Sequence, residues 1–372
     1  MENKKRIDFL DNLRTFIIFL VLVLHAGLPF TTPPFAGWVH DEQAKSSIMG
    51  FWVIFLEGPF LMSTMFFIAG YFILPSLAKK GTSKFLKDKF IRLGIPFLFG
   101  AIIISPILAS ISTLSDGYNY NFFLVCLGFF NPMYYAHYHF WFLGILIYFI
   151  LITVLVLNIF KKKISLLPTK STKPKAILFV LFILGCIVAN FSIGVLTGNF
   201  YDWFRSYHLV FQKTSLPLYM AYYTLGIYAY KRNWFKDGYK PKVLPWTIIY
   251  VISILAYCYI YFILLMFNPA TVLQKLIVSI VYNIAMFSLI QMLLGIFQRF
   301  FNGGGAFVKG LNQSSFSTYV FHMFPMFLVF YFVRYLPVAF ELRLFLDVVL
   351  GVLLSWLLGF IMKKVPLLRK IL

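Results

Sequence analysis

Apolar blocks, each about as long as the roughly 20 residues that carry a helix across a bilayer core of about 30 Å, recur throughout this 372-residue chain. Such a block must be helical, because hydrocarbon offers its backbone N–H and C=O groups no partner outside the segment. The ruler marks spans at 9–29, 59–78, 93–114, 139–160, 176–197, 214–230, 244–267, 272–298, 314–334 and 343–362. The expected fold class is all-α, a polytopic membrane protein of about ten transmembrane helices. Residues 1–372 are read as one integral membrane domain, without an appended soluble domain. Composition agrees: 61% of residues are hydrophobic and only 12% charged, too little polar surface for a water-soluble domain of this size. The stretch "FFLVCLGFF" at 122–130 is too short to cross and is expected to be interfacial or re-entrant, and 48–56 is expected near the outer surface, with a helix starting at Pro59.

A formal charge of +21 would point to nucleic acid only if the basic residues gathered on a soluble face. They lie between the apolar blocks instead, in the N-terminal segment and in loops 79–92, 161–175, 231–242 and 299–309, and in the tail 363–370. Outside that alternation fall only Lys45, Arg205, Lys213, Lys275, Arg334 and Arg343, with Arg14 inside the first span. By the positive-inside rule both termini are expected in the cytoplasm. The first span follows "KKR" as a secretory signal would, but no A-x-A-like site follows it, so a retained helix is expected. Cys126, Cys186 and Cys258 are isolated and lack metal-ligand spacing, so neither a disulfide framework nor a metal site is expected.

The first span, "DNLRTFIIFLVLVLH" at 11–25, carries Arg14 and His25, two groups that a bilayer penalises. Eleven residues at about 100° each make three turns plus roughly 20°, so both side chains share one face, separated by about 16 Å of rise. Asp11 stands three residues before Arg14 on the same face and can pair with it. Each residue alone has an ordinary reading, a snorkelling arginine or an interfacial histidine. Together they place a cation near the cytoplasmic surface and a potential base deeper in the membrane.

These residues, with "MFFIAGYF" at 65–72, "KFLKDKFIRLGIPFL" at 84–98, "HFWFL" at 139–143 and "SFSTYVFHMFPM" at 315–326, resemble in the same order the acyltransferase 3 family of bacterial integral membrane O-acyltransferases. The short spacing into "KDKFIRLGIP" is similar to the branch that succinylates osmoregulated periplasmic glucans. Two positions depart from the family pattern. Ala69 stands where a serine is frequent, so no hydroxyl role carries over, and Lys89 replaces the first arginine of a cytoplasmic pair completed by Arg92. A lysine keeps the charge and loses the bidentate fork.

The resemblance implies transfer of an acetyl or succinyl group from cytoplasmic acyl-CoA to a hydroxyl of an extracytoplasmic or envelope glycan, by an enzyme of the bacterial inner membrane. Acyl-CoA, the glycan acceptor and the lipid bilayer are the expected partners, and nucleic acid is not. Arg14, Lys84, Lys89 and Arg92 are the candidates for the donor phosphates, although Lys84 also fits ordinary positive-inside charge. His25 is the candidate general base, since imidazole suits proton transfer near neutral pH. His139 and His322 lie at compatible depths, and Glu57 stands where it would orient an imidazole or bind sugar. Trp38, Tyr134, Tyr135 and Tyr138 are candidates to stack on a glycan, or simply members of the interfacial aromatic belt. A transporter or flippase for a lipid-linked sugar or small anion would fit the helix count, but such proteins usually carry internal repeats, and none is detectable.

Overall fold

The computed structural model describes residues 7–31, 38–41, 60–115, 117, 120–160, 165–169, 172–198, 202–236, 238–260 and 271–372. The elements are α1 (Asp8–Gly27), α2 (Phe60–Lys80), α3 (Thr82–Ser115), the short α4 (Phe122–Gly128), α5 (Trp141–Ile159), α6 (Ala176–Leu196), α7 (Leu216–Lys231), α8 (Val243–Tyr259), α9 (Val272–Phe300), α10 (Ala306–Phe321), α11 (Met323–Val333) and α12 (Phe340–Lys364). Among the described residues, seven helical segments are long and apolar enough to cross a membrane, and eight if the bent pair α10–α11 is one span. The protein is therefore an α-helical, multi-pass membrane protein. The sixth and seventh apolar blocks also form helices, α7 with 16 residues and α8 with 17, shorter than the ruler asks. Residues 48–59 and 261–267 lie outside the described residues.

Helix α1 is the central post. It packs against α2, α9, α10, α11 and α12, and Leu10, Leu13, Ile17 and Leu22 are fully enclosed. Lipid is as apolar as leucine, so close backbone approach and polar links hold such helices together. Both devices are present. At Gly70 of α2 and Gly226 of α7 an added Cβ would lie 2.0 Å from the Tyr223 carbonyl oxygen and 2.1 Å from that of Phe67. Near the start of α1, Asn12 donates to the carbonyls of Phe301 and Gly303 at 2.6 and 2.8 Å. The Asn312 amide donates to Asn12 Oδ1, and the Thr15 hydroxyl donates to Asn312 Oδ1, both at 2.6 Å.

Three features depart from the expected run of straight helices. The block at 314–334 is bent by 68° between α10 and α11, at His322. Pro325 explains the break: it has no N–H for the carbonyl of Phe321, and its ring crowds that carbonyl. In α3, wider π-helical turns at Phe90–Gly94 and Gly100–Ile104 each end two residues before a proline, Pro96 and Pro106, which relieves the same crowding. Between α6 and α7 the chain forms an antiparallel hairpin, β1 (Trp203–Arg205) and β2 (Val210–Gln212), an addition to the all-α expectation.

A Gly226→Val change should force α2 and α7 apart, at a cost of about 1–3 kcal/mol for overpacking, and lower the yield of monodisperse protein in detergent. Gly128→Ala, where an added methyl meets nothing within 4 Å, should leave that yield unchanged on size-exclusion chromatography.

Candidate active site

The bend brings together three histidines that stand on three different elements. His25 is in the last turn of α1, His139 in a 3-10 turn before α5, and His322 at the α10–α11 junction. His322 Nε2 lies 2.8 Å from His25 Nδ1, and the His139 and His322 ring centroids are 4.7 Å apart. The bend itself is braced: the Ser355 hydroxyl of α12 donates to the His322 carbonyl at 3.3 Å.

The partners of these rings assign their protons. A backbone carbonyl only accepts, so His322 Nδ1, 2.7 Å from the Tyr319 carbonyl oxygen, carries a hydrogen. In the neutral ring Nε2 then holds a lone pair, and His25 Nδ1 must be the donor to it. That leaves the lone pair of His25 on Nε2. His139 runs the opposite way, with Nε2–H donating to the Val320 carbonyl at 3.2 Å and Nδ1 bearing the lone pair. Tyr319 holds both residues, since its hydroxyl donates to the His139 backbone carbonyl while its own carbonyl accepts from the His322 ring.

His25 is covered by Trp38, whose ring stacks on it at 5.2 Å and 19° and meets Phe327 edge-on at 5.3 Å. The segment carrying Trp38 is anchored by a buried ion pair, Asp41 Oδ2 to Arg343 Nη1 at 3.0 Å. Arg343 also donates to the Arg334 carbonyl at 3.1 Å, and the Asp41 N–H donates to that of Pro29 at 2.8 Å. A pair enclosed to this degree resists solvent screening, so it fixes the cover to α12 and to the end of α11.

Beside these groups opens a cavity of about 860 Å³. His25, Trp38, His139, Trp141 and Tyr319 line its inner part, while Tyr120, Tyr134, Tyr138 and the β-hairpin close the rest. His322 is fully buried behind His25 and is not among the lining residues. Three buried ring nitrogens in this wall, Trp38 Nε1, His137 Nδ1 and His139 Nδ1, have no hydrogen-bond partner among the described residues. Buried polar atoms are seldom left so, and each of the three belongs to a residue of the cavity wall.

Of the expected aromatics, Trp38, Tyr134 and Tyr138 line the cavity, whereas Tyr135 packs edge-on against His137 and donates to the Tyr207 carbonyl at 3.2 Å. Glu57 lies outside the described residues. Asp347 is fully buried in α12 and does not line the cavity. Sequence reasoning missed His137, Tyr319, Trp203 and Arg205. His137 stands two residues from His139 in "AHYHF", and Tyr319 one helical turn before His322; either spacing was a usable signal. The stretch "FFLVCLGFF" contributes Val125, Gly128 and Phe129 to the wall from α4, without crossing.

The second cluster lies at the other end of α1. Arg14 pairs with Asp11 at 3.2 Å, as their three-residue spacing predicts. Asp88 of α3 holds Lys80 at 2.7 Å and Arg92 at 3.5 Å, and Lys89, seated over the Phe85 ring at 5.5 Å, feels the charges of Asp88, Lys80, Arg92 and Arg14. The structure thus brings Arg14, Lys89 and Arg92 into one cationic field. Lys84 is exposed and has no interaction tying it to that group among the described residues. Between Arg14 and Val21, the cavity residue of α1 nearest to it, the helix rises about 10 Å.

His137 supplies a pH dependence. Its Nε2–H donates to the Tyr207 carbonyl at 3.1 Å, and burial pushes its pKa down to about 4, with that carbonyl pulling it upward and His208 adding to the lowering. A neutral buried imidazole stabilises the fold fully above the unfolded value of about 6.5, and that contribution is lost as pH falls towards 4. The loss runs at about 1.4 kcal/mol per pH unit. Between pH 7 and pH 5 the native protein should therefore lose more thermal stability than a His137→Gln variant, by about 2 kcal/mol. Equal losses in the two melting curves would contradict this.

No curated protein and no solved structure matches the chain. A family model described as an acyltransferase domain, Acyl_transf_3, matches residues 7–362, nearly the whole length. The match runs through α1 with His25, the basic α3 and the bent α10–α11 pair. The chain belongs to the Acyl_transf_3 family and is a multi-pass membrane acyltransferase of the O-acyltransferase kind.

Proposed function

We propose that this enzyme transfers an acyl group, acetyl or succinyl, from cytoplasmic acyl-CoA to a hydroxyl of an extracytoplasmic or envelope glycan at the inner membrane. The observation that carries the reading is the chain from the Tyr319 carbonyl through His322 to His25 beside the cavity. It leaves His25 Nε2 with an available lone pair in a fixed ring.

A sugar hydroxyl is a poor nucleophile at neutral pH, and a base that takes its proton as it attacks lowers the barrier. In this scheme His25 Nε2 accepts the hydroxyl proton while the oxygen forms a bond to the thioester carbonyl carbon. The C–S bond then breaks, and the proton passes from His25 to the departing sulfur. His322 holds the imidazolium by accepting its Nδ1–H, with its own Nδ1–H fixed by a carbonyl dipole. His322 is thus a positioning residue, while His25 is the catalytic one. His139 and Trp38 line the cavity beside His25, where their rings would flank the bound sugar.

The donor's phosphates are assigned to Arg14, Lys89 and Arg92, with Asp88 offsetting part of their charge. The bulky anion then stays at the cytoplasmic surface while the thin pantetheine arm follows α1 towards His25. Both termini are placed in the cytoplasm by the same assignment, consistent with the basic loops. Lys84, exposed and apart, is left to general positive-inside charge.

His25→Ala should abolish acyl transfer in membranes while expression and size-exclusion profile stay normal; wild-type activity in that variant would remove the base assignment. His322→Phe should lower kcat by about 10²-fold or more with little change in the KM for acyl-CoA, since it removes orientation and not donor contacts. Lys89→Ala combined with Arg92→Ala should do the reverse, raising that KM by at least about tenfold.

A further inference from the structure

The β-hairpin carries information that the acyl-transfer scheme leaves unused. Trp203 pairs with Gln212, Phe204 with Phe211 and Arg205 with Val210. Alternate residues of a strand point to opposite faces, so Trp203, Arg205, Val210 and Gln212 share one face and the two phenylalanines the other. The four former residues all line the cavity, and neither phenylalanine does; their rings stack on each other at 5.0 Å. One face of the hairpin is thus given over to the cavity, with an indole, a guanidinium and a carboxamide.

Those groups have distinct surroundings. Trp203 meets Trp141 edge-on at 5.9 Å, and Trp141 stacks on Tyr219 at 5.6 Å, an aromatic wall of the kind that takes the C–H face of a sugar ring. Gln212 is fixed in place by the Ser215 hydroxyl, which donates to its Oε1 at 2.5 Å. At the base of the hairpin Lys213 is neutralised by Asp202 at 2.6 Å. The Arg205 side chain has neither an ion pair nor a hydrogen-bond partner among the described residues. Among the described lining residues it is also the one formal charge, since no Asp, Glu or Lys reaches the wall. A solitary guanidinium beside an aromatic sugar platform recognises a carboxylate or phosphate in a bidentate manner.

We infer that the acceptor is an anionic saccharide, whose carboxylate or phosphate substituent is held by Arg205 while a hydroxyl of the same chain is presented to His25. The inference rests on reading this cavity as the acceptor site of an acyltransferase. The hairpin joins the ends of α6 and α7, beyond the apolar helices and in the same cavity wall as the outer aromatics. With both termini assigned to the cytoplasm, it faces the aqueous compartment from which a glycan comes, and not the cationic cluster where the donor enters. The negative group belongs to the acceptor and not to a dicarboxylic acyl chain.

Binding to the purified full-length protein in detergent tests this without requiring acyl transfer. Tryptophan fluorescence would be titrated with a neutral gluco-oligosaccharide, with the same oligosaccharide ending in a uronic acid, with its phosphorylated counterpart, and with free succinate. At least one charged oligosaccharide should bind about tenfold more tightly than the neutral one or more, and the preference should fall with added salt. Arg205→Gln should erase the preference and Arg205→Lys should retain most of it; Arg205 is exposed, so both variants should fold. Equal binding of charged and neutral saccharides, or a preference that survives Arg205→Gln, overturns the proposal. Arg205-dependent binding of succinate without any preference among saccharides also overturns it, because the anion would then be the acyl group. Charge-selective binding in a protein that transfers no acyl group would refute the acyltransferase reading while leaving the saccharide site standing.

Discussion

The hydrogen bond between His322 and His25 depends on a helix that stops being straight. Had residues 306–333 continued as one helix, the side chain of His322 would follow the α10 axis rather than stand at a 68° corner. Pro325 causes the corner, Ser355 braces it, and Tyr319, one turn earlier, supplies the carbonyl that sets the tautomer. A proton position on one ring thereby decides which nitrogen of the next ring carries the lone pair. In the proposed scheme the arrangement works as a triad does, except that a backbone dipole stands where a carboxylate would. No buried full charge is needed inside the membrane, where an ion without a partner is expensive.

The rest of the bundle keeps α1 still. Its N-terminal end is tied by the Asn12, Thr15 and Asn312 network to the α9–α10 connection, and its C-terminal end is covered by Trp38, anchored through Asp41 and Arg343. The continuous helix between those anchors, from Asp8 to Gly27, sets the distance from Arg14 to His25. Close contact of α2 and α7 through two glycines fixes the neighbouring wall, where Phe66, Phe142, Phe149 and Tyr219 pack ring against ring. Polar links thus hold the ends of α1, and packing holds its flanks.

Much of this was written plainly in the chain. Apolar length located most of the helices, because each must satisfy its backbone internally, although among the described residues seven or eight segments, and not the expected ten, are long and apolar enough to cross; the eleven-residue spacing put Arg14 and His25 on one face of the continuous α1. The Asp11–Arg14 pair followed from helical spacing as well. What stayed hidden depends on three dimensions. The bend at His322 is signalled by Pro325, yet nothing local gives its direction, and so the meeting of His25 with His322 was beyond reach. The hairpin was hidden because strands of three residues carry too few positions to show alternation. Arg205 accordingly read as a stray outer charge, and His137 was overshadowed by His139 beside it.

The central claim is a statement about protons, and nitrogen-15 NMR of histidine-labelled protein in detergent reads protons directly. With resonances assigned by single His→Ala variants, His25 and His322 should both appear as neutral rings protonated at Nδ1, and His139 as one protonated at Nε2. In His322→Phe the His25 signal should lose its fixed tautomer and average between the two forms. A His25 ring protonated at Nε2 in the native protein would contradict the account, because the nitrogen assigned as the base would then have no lone pair to give.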